Sequence, residues 1–473
     1  MKTKLVNSIR EAIQLAGLKD GMTVSFHHHL RNGDFVLNMV LEEIANLGIH
    51  ELNVNASSVF DTHMPLLNHI ENKVVTGIQC NYMAAGVGRA ISEGILDKPV
   101  QFRTHGGRPS DICLGRTPID VAFIAAPTSD PMGNCSGKYG PSACGSLGYA
   151  YPDAMFAKKV IIITDNLVPY PLTDFSIPES YVDYVVQVDA IGNPKGIVSG
   201  TTRITRDPVG LVMASYAARV IEHSGLLKDG FSFQTGAGGA SLAAAKFLKD
   251  IMLEKNIKGS FGLGGITGYM VDMLRAGCFQ RLLDVQCFDL TAVESIRTDP
   301  RHQEVSAMHY ASPSHRSSAV DSLDVVILGA TEIDTDFNVN VHTDSNGYIM
   351  GGSGGHSDTA AGAKLSMIIA PMFRARLPIV TDHVTCVSTP GRDIDVLVTQ
   401  GGIAVNEKNG ELKERLLAAG LPVIGIHELK EKAERITGKP AKLPKGDRAV
   451  AEVIYRDGTL QDTIYNVPGA QLL

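Results

Sequence analysis

The chain runs to 473 residues, 44% hydrophobic and 20% charged, with 48 glycines, no tryptophan and a formal net charge of -7. A single hydrophobic core rarely serves so long a chain, so two or more domains are expected, and the apolar content excludes disorder. With no basic field and no apolar run near the length of a membrane span, neither nucleic acid nor a membrane is expected as a partner.

The opening Met1-Lys2-Thr3-Lys4 has no apolar core like that of a signal peptide. Seven cysteines, an odd number without a C-x-x-C pair or zinc-like spacing, fit reduced thiols in the cytoplasm and no metal site. Apolar runs alternate with amphipathic stretches, the pattern of a mostly parallel sheet flanked by helices. Met22–Phe26 reads as a strand. The helix predicted after it carries Leu37, Val40, Leu41, Ile44 and Leu47 on one face, with Asp34 as N-cap and Gly48 as stop. Buried strands are predicted at Val121–Ala125, Val160–Ile163, Val185–Val188, Val325–Leu328 and Val396–Val398.

Two internal echoes organise these elements. Leu18-Lys19-Asp20-Gly21 recurs as Leu227-Lys228-Asp229-Gly230, an offset of 209. The stretch from Ile119 through Asn134 echoes that from Leu323 through Asn338, an offset of 204. A duplicated domain is the economical reading, with its seam near Gly200–Asp207 and units at 1–203 and 204–473. Beyond the seam, Asp207-Pro208 opens a helix expected to reach about His223.

Four loops have chemistry to offer. His27-His28-His29-Leu30-Arg31-Asn32 follows the first strand of the first copy; adjacent histidines seldom share one ion, so carboxylate binding competes there with plain loop packing. Arg103-Thr104-His105-Gly106-Gly107-Arg108 offers guanidinium forks for carboxylate or phosphate, or else a solvated loop. At the matching point of the second copy, Gly236-Ala237-Gly238-Gly239-Ala240-Ser241 is either a tight turn or bare backbone open to an anion. The fourth, Gly347–Asp358, is dense in glycine and suits a backbone cradle for a large cofactor arm.

Ser25–Asp34, Arg103–Pro109, Asp130-Pro131-Met132-Gly133-Asn134, Asp334–Asn340 and Gly351–Asp358, in this order, resemble the CoA-transferase superfamily and, within it, the alpha subunits of citrate lyase. Thr389–Ala404 looks like the V-T-x-x-R-D-V-D-Y-V-V-T-E-x-G-I-A run of acetyl-CoA hydrolases and related transferases. The resemblance covers nearly the whole chain. It implies two tandem CoA-transferase-like domains and exchange of acetyl for citrate on an acyl-carrier thioester, giving citryl thioester and acetate. It also implies assembly with a beta (lyase) subunit and a gamma acyl-carrier subunit, a homo-oligomer within that complex, and acyl-CoA or the carrier's CoA-derived group as substrate, with no tightly bound cofactor.

One departure bears on mechanism. Many superfamily members carry a nucleophilic glutamate that falls here at about Gly264 or Gly265, in Ser260–Gly268, where no carboxylate stands. A direct mixed-anhydride route follows, with the backbone of Gly264 and Gly265 cradling the oxyanion and thioester. His28, His29, Arg31, Asn32, Arg103, His105 and Arg108 are then expected to bind citrate. Gly236, Gly238, Gly239, Gly351, Gly352, Gly354, Gly355 and His356 are expected to hold the thioester and its arm. A hydrolase or a glutamyl-thioester transferase of the same superfamily is the alternative; a non-catalytic sensor would be expected to carry a helix-turn-helix or other output module, and none is visible.

Overall fold

The structure, a computed structural model, describes residues 3–198, 203–441 and 444–468. Strands form where the apolar runs predict them. Val121–Ala125 and Val325–Leu328 are buried at every position, as strands covered on both faces should be. The helix after Thr23–Phe26 spans Val36–Asn46 and buries Val36, Leu37, Val40, Leu41 and Ile44. Its cap departs from expectation. Phe35 takes the N-cap position, and Asp34, one residue earlier, accepts from the Val36 and Leu37 amides at 3.3 Å each. Asp207 does cap Pro208–His223, accepting from Gly210 N–H at 3.2 Å.

Two large sheets dominate the described residues, one of ten strands and one of eight. In the first, Thr23–Phe26 lies parallel between Leu52–Ala56 and Val121–Ala125. In the second, Ser232–Thr235 lies parallel between Gly259–Ile266 and Val325–Leu328. The echoes land on matching register: Val24 pairs with Val121, and Phe233 pairs with Val325, 209 and 204 positions on. The two Asp–Asn loops match as well. Asn134 Nδ2 donates to Asp130 Oδ2 at 2.8 Å, and Asn338 Nδ2 to Asp334 Oδ2 at 3.1 Å. Gly133 and Phe337, just before each asparagine, both take left-handed φ, 100° and 65°. The fold is a duplicated α/β unit, each copy a mostly parallel sheet flanked by helices.

The division between the units is less simple than a cut at 203/204, which adjoins residues 199–202, outside the described residues. The hairpin Ala449–Ile454/Leu460–Tyr465 extends the first sheet, pairing parallel with Val100–Phe102. Residues 449–465 therefore belong to the first sheet rather than to a unit 204–473, because the free edge at Val100–Phe102 needs a strand partner. Backbone bonds also tie the halves: Met83 N–H donates to Gly351 O at 3.1 Å and Ala307 N–H to Gly148 O at 2.8 Å. No helix among the described residues is long and apolar enough to cross a membrane.

Candidate active site

The histidine run leaves the carboxyl end of the central strand Thr23–Phe26, where open parallel sheets bind ligands. All three histidines are buried. Burial holds the imidazoles of His27, His28 and His29 well below the ordinary histidine range; Arg108 adds to the effect at His27 and Arg31 at His28, while Asp153 opposes it at His29. They are neutral rings that offer hydrogen bonds rather than charge. His28 Nδ1 meets Ser57 Oγ at 2.6 Å, and its ring stacks on Tyr149 at 4.7 Å. His105 joins the stack, 4.4 Å from Tyr149 and 5.6 Å from His28, and burial lowers its pKa to about 3. Both ring nitrogens of His29 are buried without a hydrogen-bond partner.

Arg31 supplies the charge. Its backbone takes φ 52°, a left-handed conformation uncommon for a long side chain and often kept where function requires it. The guanidinium lies between Phe60 of the first half, 5.5 Å away, and Phe288 of the second, 4.9 Å away. Desolvation pulls its pKa down, and Nη1 is buried with no acceptor. An arginine in this state can bind a carboxylate through its free N–H groups.

The second half brings its own strand ends to the same junction. Gln286 Nε2, near the end of Phe279–Cys287, donates to the His28 carbonyl at 2.8 Å. Gly264 and Gly265 lie inside Gly259–Ile266, at a bulge against Asp284 and Gln286. A side chain at Gly265 would collide with the Phe288 ring, and one at Gly264, at φ 104°, would sit 2.7 Å from Gln234 Cδ. Glycine there lets Phe288 and Gln234 close over the strand. The helix Gly239–Glu254 starts nearby with Gly238 as an N-cap that makes no side-chain bond. Around Gly236 and Gly238 an added Cβ would meet nothing closer than 3.6 Å and 3.8 Å, so the loop is open, although the Gly236 N–H itself donates to Ile327 O at 2.9 Å. Gly239 is different, packed within Cβ range of Arg203 O at 2.9 Å.

Other expected site residues are committed to the protein itself. Arg108 makes a buried fork with Asp153, at 2.8 Å and 2.6 Å, and bonds Asn55 Oδ1 at 2.6 Å. Arg103 pairs with Asp111 and bonds Gln101 at 3.2 Å. A buried carboxylate neutralises each guanidinium, which commits Arg108 wholly, while Arg103 keeps only its buried Nε without a partner. Asn32 is exposed, unlike the buried histidines before it. His356 spends both ring nitrogens, on Thr389 Oγ1 at 2.8 Å and Gly329 O at 2.9 Å. Gly351 and Gly352 abut the Val341 and Asn81 carbonyls, and Gly355 abuts the Tyr310 hydroxyl. Gly354 trades backbone bonds with the first half, its carbonyl accepting from His105 N–H at 2.8 Å and its N–H donating to Asn81 O at 3.1 Å. This segment is a close-packed strap between the halves, not an open cradle for a cofactor arm.

Several functional groups left no local signal. Tyr149, Phe60, Phe288, Gln286 and Tyr310 arrive from distant positions, and nothing in their own neighbourhoods marks them. Gln234 does stand two residues before the Gly236 loop, which is a signal of position alone. Asp284, Cys287 and His302 bring ligand-type atoms within 4.8 Å of one another in the core, where Asp284 Oδ2 already pairs with His302 Nε2 at 2.9 Å and Cys287 Sγ at 3.0 Å. An open pocket of about 580 Å³, with Tyr151, Met155 and Glu304 in its wall, opens between the halves, but its lining includes neither Arg31 nor the histidine run.

Duplicated α/β halves that meet at their strand ends, where Arg31 lies against rings of both halves, fit CoA-transferase-type enzymes. The family model described as "Citrate lyase, alpha subunit (CitF)" matches residues 2–467. The citrate lyase alpha chain of Haemophilus influenzae is 49% identical over 464 residues, 98% of this chain and 93% of that one. That of Klebsiella pneumoniae is 48% identical over 464 residues, covering 98% and 91%. A crystal structure of the putative alpha subunit of citrate lyase from Streptococcus mutans, in complex with citrate, superposes with a TM-score of 0.97 at 50% identity, covering 98% of this chain and 92% of that one. The alpha subunit of an Acinetobacter baumannii malonate decarboxylase shares the fold at a TM-score of 0.69 and 16% identity, covering 92% and 89%. The chain belongs to the citrate lyase alpha-subunit family, and it is a CoA-transferase-type enzyme.

Proposed function

We propose that the chain exchanges acetyl for citrate on an acyl-carrier thioester, releasing acetate and forming the citryl thioester, in the cytoplasm and within a complex that includes lyase and carrier subunits. The carrying observation is Arg31, whose Nη1 is buried without an acceptor and whose guanidinium lies against Phe60 and Phe288. The citrate in the Streptococcus mutans relative and the near-identity of fold support the choice of acid.

The route we favour is direct. A citrate carboxylate oxygen attacks the thioester carbonyl, the tetrahedral oxyanion collapses, and thiolate leaves as the mixed anhydride forms. The thiolate then attacks the citryl carbonyl of the anhydride and acetate departs with the bridging oxygen. The glycines at 264 and 265 support this, since no side-chain carboxylate stands at either position to form an enzyme thioester. Arg31 would hold a citrate carboxylate, and the uncapped amides at the start of the helix Gly239–Glu254 would face the thioester side. Held together, two bound reactants gain the rate that orientation supplies. The test is acetate release from acetyl-carrier, or acetyl-CoA as surrogate, on adding citrate. Release with another acid and none with citrate removes the assignment of substrate. Inactivation by hydroxylamine after incubation with acetyl-CoA alone removes the direct route.

A further inference from the structure

Where the two halves meet, buried polar atoms without partners include Arg31 Nη1 and both ring nitrogens of His29 from the first half and Gln234 Oε1 from the second, alongside those of His27, Thr267 Oγ1 and Asp284 Oδ1. Buried polar atoms are nearly always paired, so an unpaired set drawn from both halves describes the ligand it awaits. Arg31 only donates, a neutral His29 ring offers one donor and one acceptor, and Gln234 Oε1 only accepts.

Gln234 is 8% exposed and lies one residue before the end of the central strand of the second sheet. Its Nε2 donates to the Tyr310 hydroxyl at 3.0 Å, which fixes the plane of the amide. That plane lies over Gly264, where a Cβ would be 2.9 Å from Nε2 and 3.0 Å from Oε1. The next residue, Gly265, carries the Phe288 ring, and Phe288 carries the Arg31 guanidinium. The acceptor and the cation therefore flank one dipeptide. Carboxylates satisfy Arg31 and leave an acceptor such as Gln234 Oε1 unsatisfied. On a polycarboxylate at neutral pH, the group that can donate to it is a hydroxyl.

We propose that Gln234 is a specificity-determining residue whose Oε1 accepts a hydrogen bond from the hydroxyl of a hydroxy-polycarboxylate held through Arg31. The inference rests on the assignment of citrate as the acid and adds what in citrate is read. A site built around a substrate hydroxyl rejects the analogue lacking it strongly, by up to about 10⁴-fold. Tricarballylate, which keeps three carboxylates and lacks the hydroxyl, is the probe.

The experiment measures kcat/KM for citrate and for tricarballylate with acetyl-CoA as donor, on the full chain and on Gln234→Leu, with thermal melts as a folding control. The parent is expected to favour citrate by at least about 100-fold, and Gln234→Leu to bring that ratio below about 10 by losing citrate turnover while tricarballylate holds. Tyr310→Phe, which frees the amide without emptying the site, is expected to shift the ratio the same way by a smaller factor, and it decides the matter should Gln234→Leu not fold. An unchanged ratio, whether both acids fall together or neither moves, overturns the proposal and leaves Gln234 as packing. A parent that turns over another acid and no citrate overturns the substrate assignment instead, and the same comparison then runs on that acid and its deoxy analogue.

Discussion

After Phe26 the first half presents His27–Arg31; after Thr235, 209 positions on, the second presents Gly236–Gly239. Both loops leave the carboxyl end of a central parallel strand, and they have diverged toward opposite chemistries. The first puts rings and one cation into a dry site, where an unpaired guanidinium is held by aromatic faces. The second removes side chains so that backbone amides at a helix start stay reachable. The contrast teaches that duplication supplies two matched platforms, and that one cleft gains complementary walls when only the loops change.

The contrast can be broken most forcefully within the first half, where Arg31 is partly buried and Arg108 fully buried, and the two differ in partners. Arg108→Ala would strand Asp153 as an uncompensated buried charge and is expected to cost about 3–5 kcal/mol of stability in a denaturant titration. Unchanged stability would mean that the Asp153 fork does not hold the half together. Arg31→Met should do the reverse, lowering acetate release about 10²–10³-fold with a raised KM for citrate and a melting point no lower than the parent's. A variant that melts early with unaltered KM would make Arg31 structural too.

Gly265→Ala tests the second half. Its methyl group would drive into the Phe288 ring, and overpacking of this kind costs about 1–3 kcal/mol. The same shift should loosen the cage on Arg31, so the KM for citrate rises alongside the loss of stability. Alanine accepted with no change in either would show that the strand and the cage are uncoupled.

The smallest effect concerns Asp358, which binds Thr104 Oγ1 and Gly106 N–H at 2.8 Å each, on either side of His105. Burial pushes its pKa up to about 6, against the pull of Arg456, its own bonds to Gly106 and Thr104, and a usual value near 3.8. The folded state thus holds this proton more tightly than the unfolded chain does. That contribution is fully present below the unfolded value and is lost as pH rises through the folded one, from about pH 4 to about pH 6. Asp358→Asn should remove that slope from the difference between parent and variant melting curves. Parallel curves across this window would show that Asp358 does not titrate there.

The strands, the duplication and the two divergent loops were legible in the sequence, because apolar periodicity and an offset echo are written along the chain. His28, His29, Arg31 and Gly236–Gly239 were legible for the same reason, as clusters of unusual residues at strand ends. Which arginine is free was not legible. Arg103 and Arg108 look as available as Arg31 until Asp111 and Asp153 are found beside them, and Asp153 lies 45 positions from Arg108. The glycines at 351–355 look like a cradle until carbonyls of Val341 and Asn81 fill the space their missing side chains leave. The assignment of 449–465 to the second unit failed likewise, because an edge strand's need for a partner is satisfied across the whole chain. The sequence by itself determined the elements, their repetition and the chemistry each loop carries, since these depend on neighbours within a few residues. Only the tertiary structure decided which charges remain unpaired and which backbone remains open, since burial and pairing are settled by residues far apart in sequence.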